Sequence, residues 1–325
     1  MEFQGTTLAT KEACVHALRQ PELSSNPGGA MAGSANLLFM DNESHIRLRA
    51  VVRDVIGQLE PLPHQVTTDI RAIVQKLHGR NDIDLVADFG RPVAAIVAAA
   101  VLAVEQELTA ELLDQISGTA ANLGVWIGDS APAGSAMHKV VRFFLKATAI
   151  HDGGLDRLRR ARKAGEITED ELLVTPVMLV HAAYENSTNF LAAAALQLSQ
   201  SPSLAEQFVS GSRQAGAVRE MVNQICPTRH VMRRATKPLD VAGTHIQEGE
   251  CVAISIGPPN ALAFGTGSHS CPGIKVALTE AEFALREIAP LLAASWRTVS
   301  VEEKNHFVFH GLSHALIRRD SSSGD

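Results

Sequence analysis

Aromatic side chains are scarce in this chain. Its 325 residues hold eleven Phe, two Trp and one Tyr. Proteins that bind single-stranded nucleic acid stack bases on such rings, so that class is disfavoured. A basic block is also missing. Lys and Arg number 29 against 35 Asp and Glu, a formal charge of −6, which is the wrong sign for a phosphate-tracking surface. There are four cysteines, Cys14, Cys226, Cys251 and Cys271, with no C-x-x-C pair. That excludes a disulfide scaffold and fits a reducing compartment. The longest apolar run, 93–104, is twelve residues, whereas a membrane span needs roughly 20. The first residues lack the basic and apolar regions of a secretory signal. The expectation is a cytoplasmic protein with no nucleic-acid or membrane partner.

What is present is core-forming material. Hydrophobic residues make up 46%, enough to bury a sizeable interior. At about 150 residues per domain the length allows two domains or one large one. No repeat and no linker divides the chain, so a single domain over 1–325 is the simplest reading. The pattern is mainly helical, with helices expected near 42–56, 65–77, 92–104, 107–127 and 135–149. A capping-box spacing at Thr168-Glu169-Asp170-Glu171 opens a long apolar helix to about 199. Pro176 marks either its first turn or a kink. Short strands are expected at 239–242, 244–247 and 251–256. A helix returns at 274–288, and a hairpin turns around Gly311. The fold class is mainly α with a small β part. It divides into an opening region (1–40), with a short amphipathic stretch at 11–20 and a Pro-, Gly- and Ser-rich loop at 21–40, a helical part (41–235), a β part with a glycine loop (236–273), and a last helix with a terminal hairpin (274–325).

The segment Phe264-Gly265-Thr266-Gly267-Ser268-His269-Ser270-Cys271-Pro272-Gly273 carries the most chemistry. Its glycines allow backbone conformations closed to other residues. It delivers a cysteine to the start of a helix, where N–H groups and the helix dipole favour a thiolate. Such a thiolate can be an axial iron ligand. An ordinary cysteine beside a helix start is the alternative. A zinc site would need a second ligand pair that the chain does not supply.

This segment resembles the cysteine loop of the cytochrome P450 superfamily, F-x-x-G-x-x-x-C-x-G, and lies where soluble bacterial members have it. The resemblance implies that Cys271 is the thiolate ligand of haem b, with Phe264 against its proximal side. It also implies that His269 reaches a propionate and that Gly273 closes the pattern. His45-Ile46-Arg47-Leu48-Arg49 is similar to the family's H-x-x-x-R signature. His45 and Arg49 share one helix face and can hold a propionate. Arg233 matches a further propionate arginine, with Arg234 as the competing assignment.

The chain departs from the family in four places. First, only about 40 residues precede the His45 helix, so the opening region reads as shortened and the fold as truncated. Second, the E-x-x-R signature reads Glu220-Met221-Val222-Asn223. Glu220 then needs Arg219 as partner or sits in solvent, since Asn223 offers no forked cation. Third, 251–260 runs almost directly into Phe264, without the family's meander. Fourth, the long helix reads Ala182-Ala183-Tyr184-Glu185-Asn186-Ser187. Glu185 matches the family's acid, while Asn186 replaces its threonine. The resemblance makes Glu185 and Asn186 the catalytic candidates. The family's acid–alcohol pair relays protons during dioxygen activation, and an amide is no proton shuttle. Independently of the resemblance, a carboxylate on an apolar helix needs a partner or a role.

The activity implied is a haem-thiolate monooxygenase of specialised metabolism acting on a small apolar substrate. A ferredoxin with its reductase would be the electron donor, met by a basic patch of Arg47, Arg53 and Lys275. Those charges read equally well as solvated surface. The missing threonine favours peroxygenase, dehydratase, isomerase or cyclase chemistry instead. The other losses favour a degenerate, non-catalytic relative. By position in the family, the pocket would be lined from 21–40 and 106–150, with Met31, Leu37, Leu38, Phe39, Met40, Trp126, Phe143 and Phe144. That composition suits an apolar ligand.

Overall fold

The computed structural model describes residues 3, 5–26, 28, 35–105, 107–118, 134–211 and 215–320. Met31 and Trp126 lie outside them, as does the part of the expected 107–127 helix beyond 118.

The opening region contributes two short strands and a helix. Strand β1 (Thr6–Leu8), helix α1 (Lys11–Ala17) and strand β2 (Leu23–Ser24) precede a helical turn at Leu37–Phe39. Thr10 caps α1 by accepting the Ala13 N–H, the ordinary use of a β-region Thr before a helix. Helix α2 (Asn42–Gly57) presents His45, Leu48, Arg49 and Val52 to the interior. Helix α3 (His64–Leu77) buries Val66, Ile70, Val74 and Leu77, a clean i, i+4 stripe.

Strand β3 (Asp82–Asp84) runs into a wide helical turn at Leu85–Gly90 and then helix α4 (Arg91–Leu102). By length and composition, residues 85–102 could cross a membrane, and 56% of that stretch is buried inside the fold. Helices α5 (Ala110–Gly118), α6 (Gly134–Lys146) and α7 (Gly154–Lys163) follow.

Helix α8 (Glu169–Gln200) is the axis of the molecule. Its Thr168–Glu171 capping box forms in both directions, and Pro176 falls inside the helix rather than in its first turn. Glycine keeps two approaches to α8 open. A Cβ on Gly90 would lie 3.0 Å from the Thr188 carbonyl, and one on Gly311 would lie 2.3 Å from Asn189 Cγ. Asn189 is fully buried and cannot step aside. Gly311→Ala is therefore expected to cost about 1–3 kcal/mol by overpacking, read as an earlier midpoint in chemical denaturation.

Helices α9 (Pro202–Val209) and α10 (Ala215–Ile225) lead to strand β4 (His230–Ala235), the hairpin β5 (Leu239–Val241) with β6 (Thr244–Ile246), and β7 (Cys251–Ser255). The main sheet has the order β1-β7-β4-β2. Strand β1 is parallel to β7, with Thr6 opposite Val252, and β4 is antiparallel to β7, with Arg233 opposite Val252. Helix α11 (Ile274–Leu292) packs on α8, and β8 (Trp296–Glu303) with β9 (Leu312–Arg319) form the terminal hairpin. β9 also pairs with β3. The fold is mainly α with a small β part, as the periodicities predict. The expected loop at 21–40 is interrupted by β2 and the Leu37–Phe39 turn.

Candidate functional site

The cysteine loop is built by its own backbone. Cys271 N–H donates to the Phe264 carbonyl at 2.8 Å and Gly265 N–H to Leu262 at 2.7 Å. Gly267 has φ +78°, and a Cβ there would meet the Leu18 carbonyl at 2.5 Å, so the turn into Gly267–His269 requires glycine. Helix α11 begins three residues after Cys271. A Cβ on Gly273 would stand 4.0 Å from the Cys271 Sγ. Cys271 is exposed, yet it sits in a recess. Desolvation raises its thiol pKa, while the Gly273 N–H and the Arg49 charge pull it down.

Around this thiol the fold gathers the residues that the motifs single out. The His45 and His269 rings stack at 4.0 Å. His269 Nε2 lies 3.4 Å from Asp41 and 3.0 Å from the Ser25 hydroxyl. Burial works against Asp41 ionising, but His269, the Ser24 hydroxyl and the Ser25 N–H outweigh it and hold the carboxyl well below its usual range. Burial, then the neighbouring His269 and Arg49, push His45 down to about 4. His45 is thus a neutral donor or acceptor here, not the cation that its place beside Arg49 suggests.

Arg49 donates to the Ser270 carbonyl, and Arg233 donates to the Met232 carbonyl at 2.7 Å. Both arginines are 8% exposed, and burial lowers the Arg233 pKa to about 10, still a cation at neutral pH. Among the described residues neither forms an ion pair with a carboxylate, and the buried His45 Nε2 has no partner. Two buried guanidiniums and an orphaned imidazole nitrogen around an accessible thiol are costly unless an anionic ligand completes them. This chemistry fits a haem with its propionates. Cys271 would hold the iron and Arg49, Arg233, His45 and His269 the propionates. Phe264, half-buried in the same loop, would flank it.

Helix α8 packs against α11, the helix that follows the cysteine loop. Most of its mid-section is buried, but Ala182, Ala183, Asn186 and Ser187 are half-buried. Glu185 is not on that open face. It pairs with Lys304 at 2.6 Å and accepts from Asn189 at 3.1 Å. Asn186 is held at both ends, donating to the Ala182 carbonyl at 3.1 Å and accepting from the Thr228 hydroxyl at 2.8 Å. Ser187 donates to Glu280 of α11 at 2.8 Å. The structure therefore puts Glu185 and Asn186 in different networks. Lys304, Thr228 and Glu280 are partners that sequence reading missed. Each lies 42 or more positions from the group it holds, so no local pattern marks it.

The E-x-x-R departure has a structural answer. Glu220 is exposed and accepts from Gln224 at 3.3 Å, so it sits in solvent rather than on Arg219. Asn223 Oδ1 accepts the Ala263 N–H at 3.4 Å, tying α10 to the start of the cysteine loop. A shallow groove of about 410 Å³ lies between α10 and Pro258–Pro259. The expected basic patch is mostly neutralised. Arg47 is bidentate on Glu171, with its closest contact 2.6 Å, and Lys275 pairs with Glu60 at 3.4 Å. Arg53 has no ion pair among the described residues.

No family model matches the chain. It is 22% identical to the biotin biosynthesis cytochrome P450 of Bacillus subtilis (strain 168), over 78% of this chain and 71% of that one. It is 25% identical to the 20-oxo-5-O-mycaminosyltylactone 23-monooxygenase of Streptomyces fradiae, over 90% and 76%. The solved structure of P450BioI, in complex with acyl carrier protein ligated to hexadec-9Z-enoic acid, superposes with a TM-score of 0.79. It is 20% identical and covers 98% of this chain and 93% of that one. The fold is that of the cytochromes P450. In sequence as well as fold, the chain is similar to bacterial cytochromes P450.

Proposed function

We propose that this chain is a haem-thiolate monooxygenase of specialised metabolism that oxidises a small apolar substrate. The observation that carries this reading is the cradle itself: an accessible Cys271 ringed by Arg49 and Arg233, both buried with no carboxylate paired to them among the described residues, and by His45 with an unpartnered Nε2. Asp41 lies near enough to favour the Arg233 cation but pairs with neither arginine, so two buried guanidiniums are left short of an anionic partner. Haem b, when bound, supplies the redox chemistry. The protein supplies the rest. Arg49 and Arg233 neutralise propionates, Gly265 and Gly267 set the loop that aims the thiol, and the Gly273 N–H donates to the sulfur. Monooxygenase relatives such as the Streptomyces fradiae enzyme support the reaction class. A ferredoxin with its reductase is the electron source in this reading, docking by way of Arg53 more than Arg47 or Lys275.

A second reading has its own support. The acid and the hydroxyl nearest the family's relay position on α8 are each committed, Glu185 to Lys304 and Ser187 to Glu280, and Asn186, which is no proton shuttle, is held by Thr228. A site so arranged suits haem-thiolate chemistry without the usual relay, such as peroxygenation or isomerisation.

The test is an absorption spectrum, oxidised and then reduced under carbon monoxide. The expected result is a strongly red-shifted carbonyl Soret band that Cys271→Ala abolishes. A protein that takes up no haem on reconstitution overturns both readings. If the band appears, substrate oxidation driven by reduced nicotinamide through ferredoxin supports the first reading. Turnover with peroxide alone supports the second.

A further inference from the structure

The three-stranded terminal sheet carries a chain of hydrogen-bonded side chains that the haem reading does not use. Its strand order is β3-β9-β8, and each strand contributes one member. Asp84 ends β3, His314 lies on β9 and Ser300 on β8. Asp84 and Ser300 both stand opposite Leu316 of β9, so Asp84, Leu316 and Ser300 form one row across the sheet. Side chains two apart on a strand share a face, which puts His314 on the same side as Leu316. Asp84 Oδ2 is 2.7 Å from His314 Nδ1, and His314 Nε2 is 2.9 Å from the Ser300 hydroxyl. The His314 and Asp84 side chains keep 33% and 20% of their surface in water, and Ser300 is half-buried.

The direction of these bonds follows from Asp84. Burial works against its ionisation, but the N–H groups of Ala315 and Val86, the His314 ring and the Ala87 N–H outweigh it and hold the carboxyl below its usual range. An ionised carboxylate only accepts, so His314 Nδ1 carries the proton. In the neutral ring Nε2 is then a lone pair, and the Ser300 O–H donates to it. In this arrangement an imidazole can draw the proton from a hydroxyl while a carboxylate fixes its tautomer. Asp84 is itself anchored, because Oδ1 accepts the Val86 N–H at 2.9 Å and the Ala315 N–H at 3.2 Å. The backbone beside Ser300 has donors to offer. Strand β8 is an edge of its sheet, and Val299 has no partner on β9 because the register shifts between Thr298 and Ser300. A bulge on an edge strand leaves N–H groups outside the ladder, and such groups can meet a developing oxyanion.

We propose that Ser300, His314 and Asp84 form a second active site, an acyl-transfer site that cleaves small uncharged carboxylic esters. Ser300 Oγ attacks the ester carbonyl carbon while its proton passes to His314 Nε2. The Oγ–acyl bond forms, the ester C–O bond breaks, and the alcohol leaves with that proton. Water then attacks the acyl carbon, gives a proton to Nε2 and releases the carboxylic acid, and His314 returns the proton to Ser300. Asp84 acts through His314, as a positioning residue. Leu316 offers half-buried apolar surface to the acyl group. Glu302, which stands opposite His314, and Asp84 disfavour an anionic ester. None of these residues belongs to the Cys271 cradle, so this activity does not depend on haem.

The test treats the full-length protein with a fluorophosphonate, which phosphonylates activated serines with loss of fluoride, and locates the label by peptide mass spectrometry. Label is expected on Ser300 and not on Ser313, the exposed serine next to His314. The protein should also hydrolyse p-nitrophenyl acetate, and the rate should fall about a hundredfold in Ser300→Ala and in His314→Gln. Ser313→Ala should keep the parent rate. Asp84→Asn should lower kcat with KM unchanged, because Asp84 touches only His314 and the backbone. If Asp84→Asn does not fold, Ser300→Ala and His314→Gln decide the matter, with circular dichroism to establish that both are folded. A hydrogen-bonded staple without chemistry would shift only the unfolding midpoint of these variants. No label on Ser300, hydrolysis that survives in Ser300→Ala, or a rate unaffected by His314→Gln each overturns the proposal. Failure of the haem reading would show separately, as absence of the Soret band, and would leave ester hydrolysis unchanged.

Discussion

Lys304→Met is expected to unfold about 3 kcal/mol more readily than the parent protein at neutral pH. The Glu185 side chain is 9% exposed, and its ion pair with Lys304 is 2.6 Å long. Removing one partner of a buried pair leaves a charge in a medium that solvates it poorly, typically at a cost of about 3–5 kcal/mol. The lower end applies because the Lys304 side chain keeps 23% of its surface in water. The Asn189 amide still donates to Glu185 in the variant, but one neutral donor does not replace an ammonium group. Two companions separate the pair energy from the penalty of a stranded charge. Glu185→Leu with Lys304→Met removes both charges and should recover most of the loss, since apolar replacement of a buried pair is often neutral or better. Glu185→Gln strands only Lys304, which can reach solvent, and should lose less than Lys304→Met. The stranded carboxylate can also escape by taking up a proton, so the deficit of Lys304→Met should shrink as the pH falls. Urea unfolding followed by circular dichroism measures all three. A Lys304→Met deficit below ~0.5 kcal/mol would mean the pair behaves as a surface ion pair and that Glu185 is solvated after all.

That pair also shows where sequence reading stops. The cysteine loop was legible because its chemistry is local. The glycines, the cysteine and the helix start are consecutive, and the structure reproduces the turn they specify. The periods of α2, α3, α8 and α11 were legible for the same reason, as was the capping box at Thr168. Glu185 was recognisable as a carboxylate out of place on an apolar helix, which correctly demanded a partner. The partner was not recognisable, because Lys304 sits at the end of β8 and only the tertiary fold brings it back to α8. Asn186 stood out as a replacement for an alcohol. Its actual state, clamped between Ala182 and Thr228, depends on where β4 begins. Residues 21–40 looked like loop and 6–8 gave no signal, because two- and three-residue strands carry no period. They order by pairing with β4 and β7, whose own signals lie more than 200 positions away. The histidine beside Arg49 was legible as a donor, but its neutrality comes first from burial and then from the His269 and Arg49 that the fold sets against it.

Glu280 carries a large pH effect. It lies on α11 nine residues after Cys271, at 3% exposure, and its one recorded partner is the Ser187 hydroxyl at 2.8 Å from Oε2. The other oxygen, Oε1, is buried with no partner among the described residues. Burial dominates, and the single hydrogen bond from Ser187 opposes it weakly, so the carboxyl pKa is raised from 4.5 to about 8. The folded value therefore lies above the unfolded one. Below about 4.5 both states hold the proton and the group costs nothing. Between 4.5 and about 8 the unfolded chain releases the proton while the folded chain keeps it, so stability falls as the pH rises. Above about 8 the loss is complete. At ~1.4 kcal/mol for each pH unit this interval corresponds to about 5 kcal/mol, an upper bound because local opening can hydrate the carboxylate. Glu280→Gln keeps the size and the acceptor for Ser187 and has no proton to lose. It should match the parent protein near pH 4.5 and exceed it by several kcal/mol at pH 8.5. Ser187→Ala should move the other way at high pH, because it removes the one donor that helps the ionised form. Denaturant unfolding of the three proteins across this range decides the matter. Parallel pH profiles for the parent and Glu280→Gln would show that Glu280 is already ionised in the fold. The α8–α11 contact behind the cysteine loop would then have to admit water, and a loop backed by water would hold Cys271 far less rigidly than its hydrogen bonds to Phe264 and Gly273 imply.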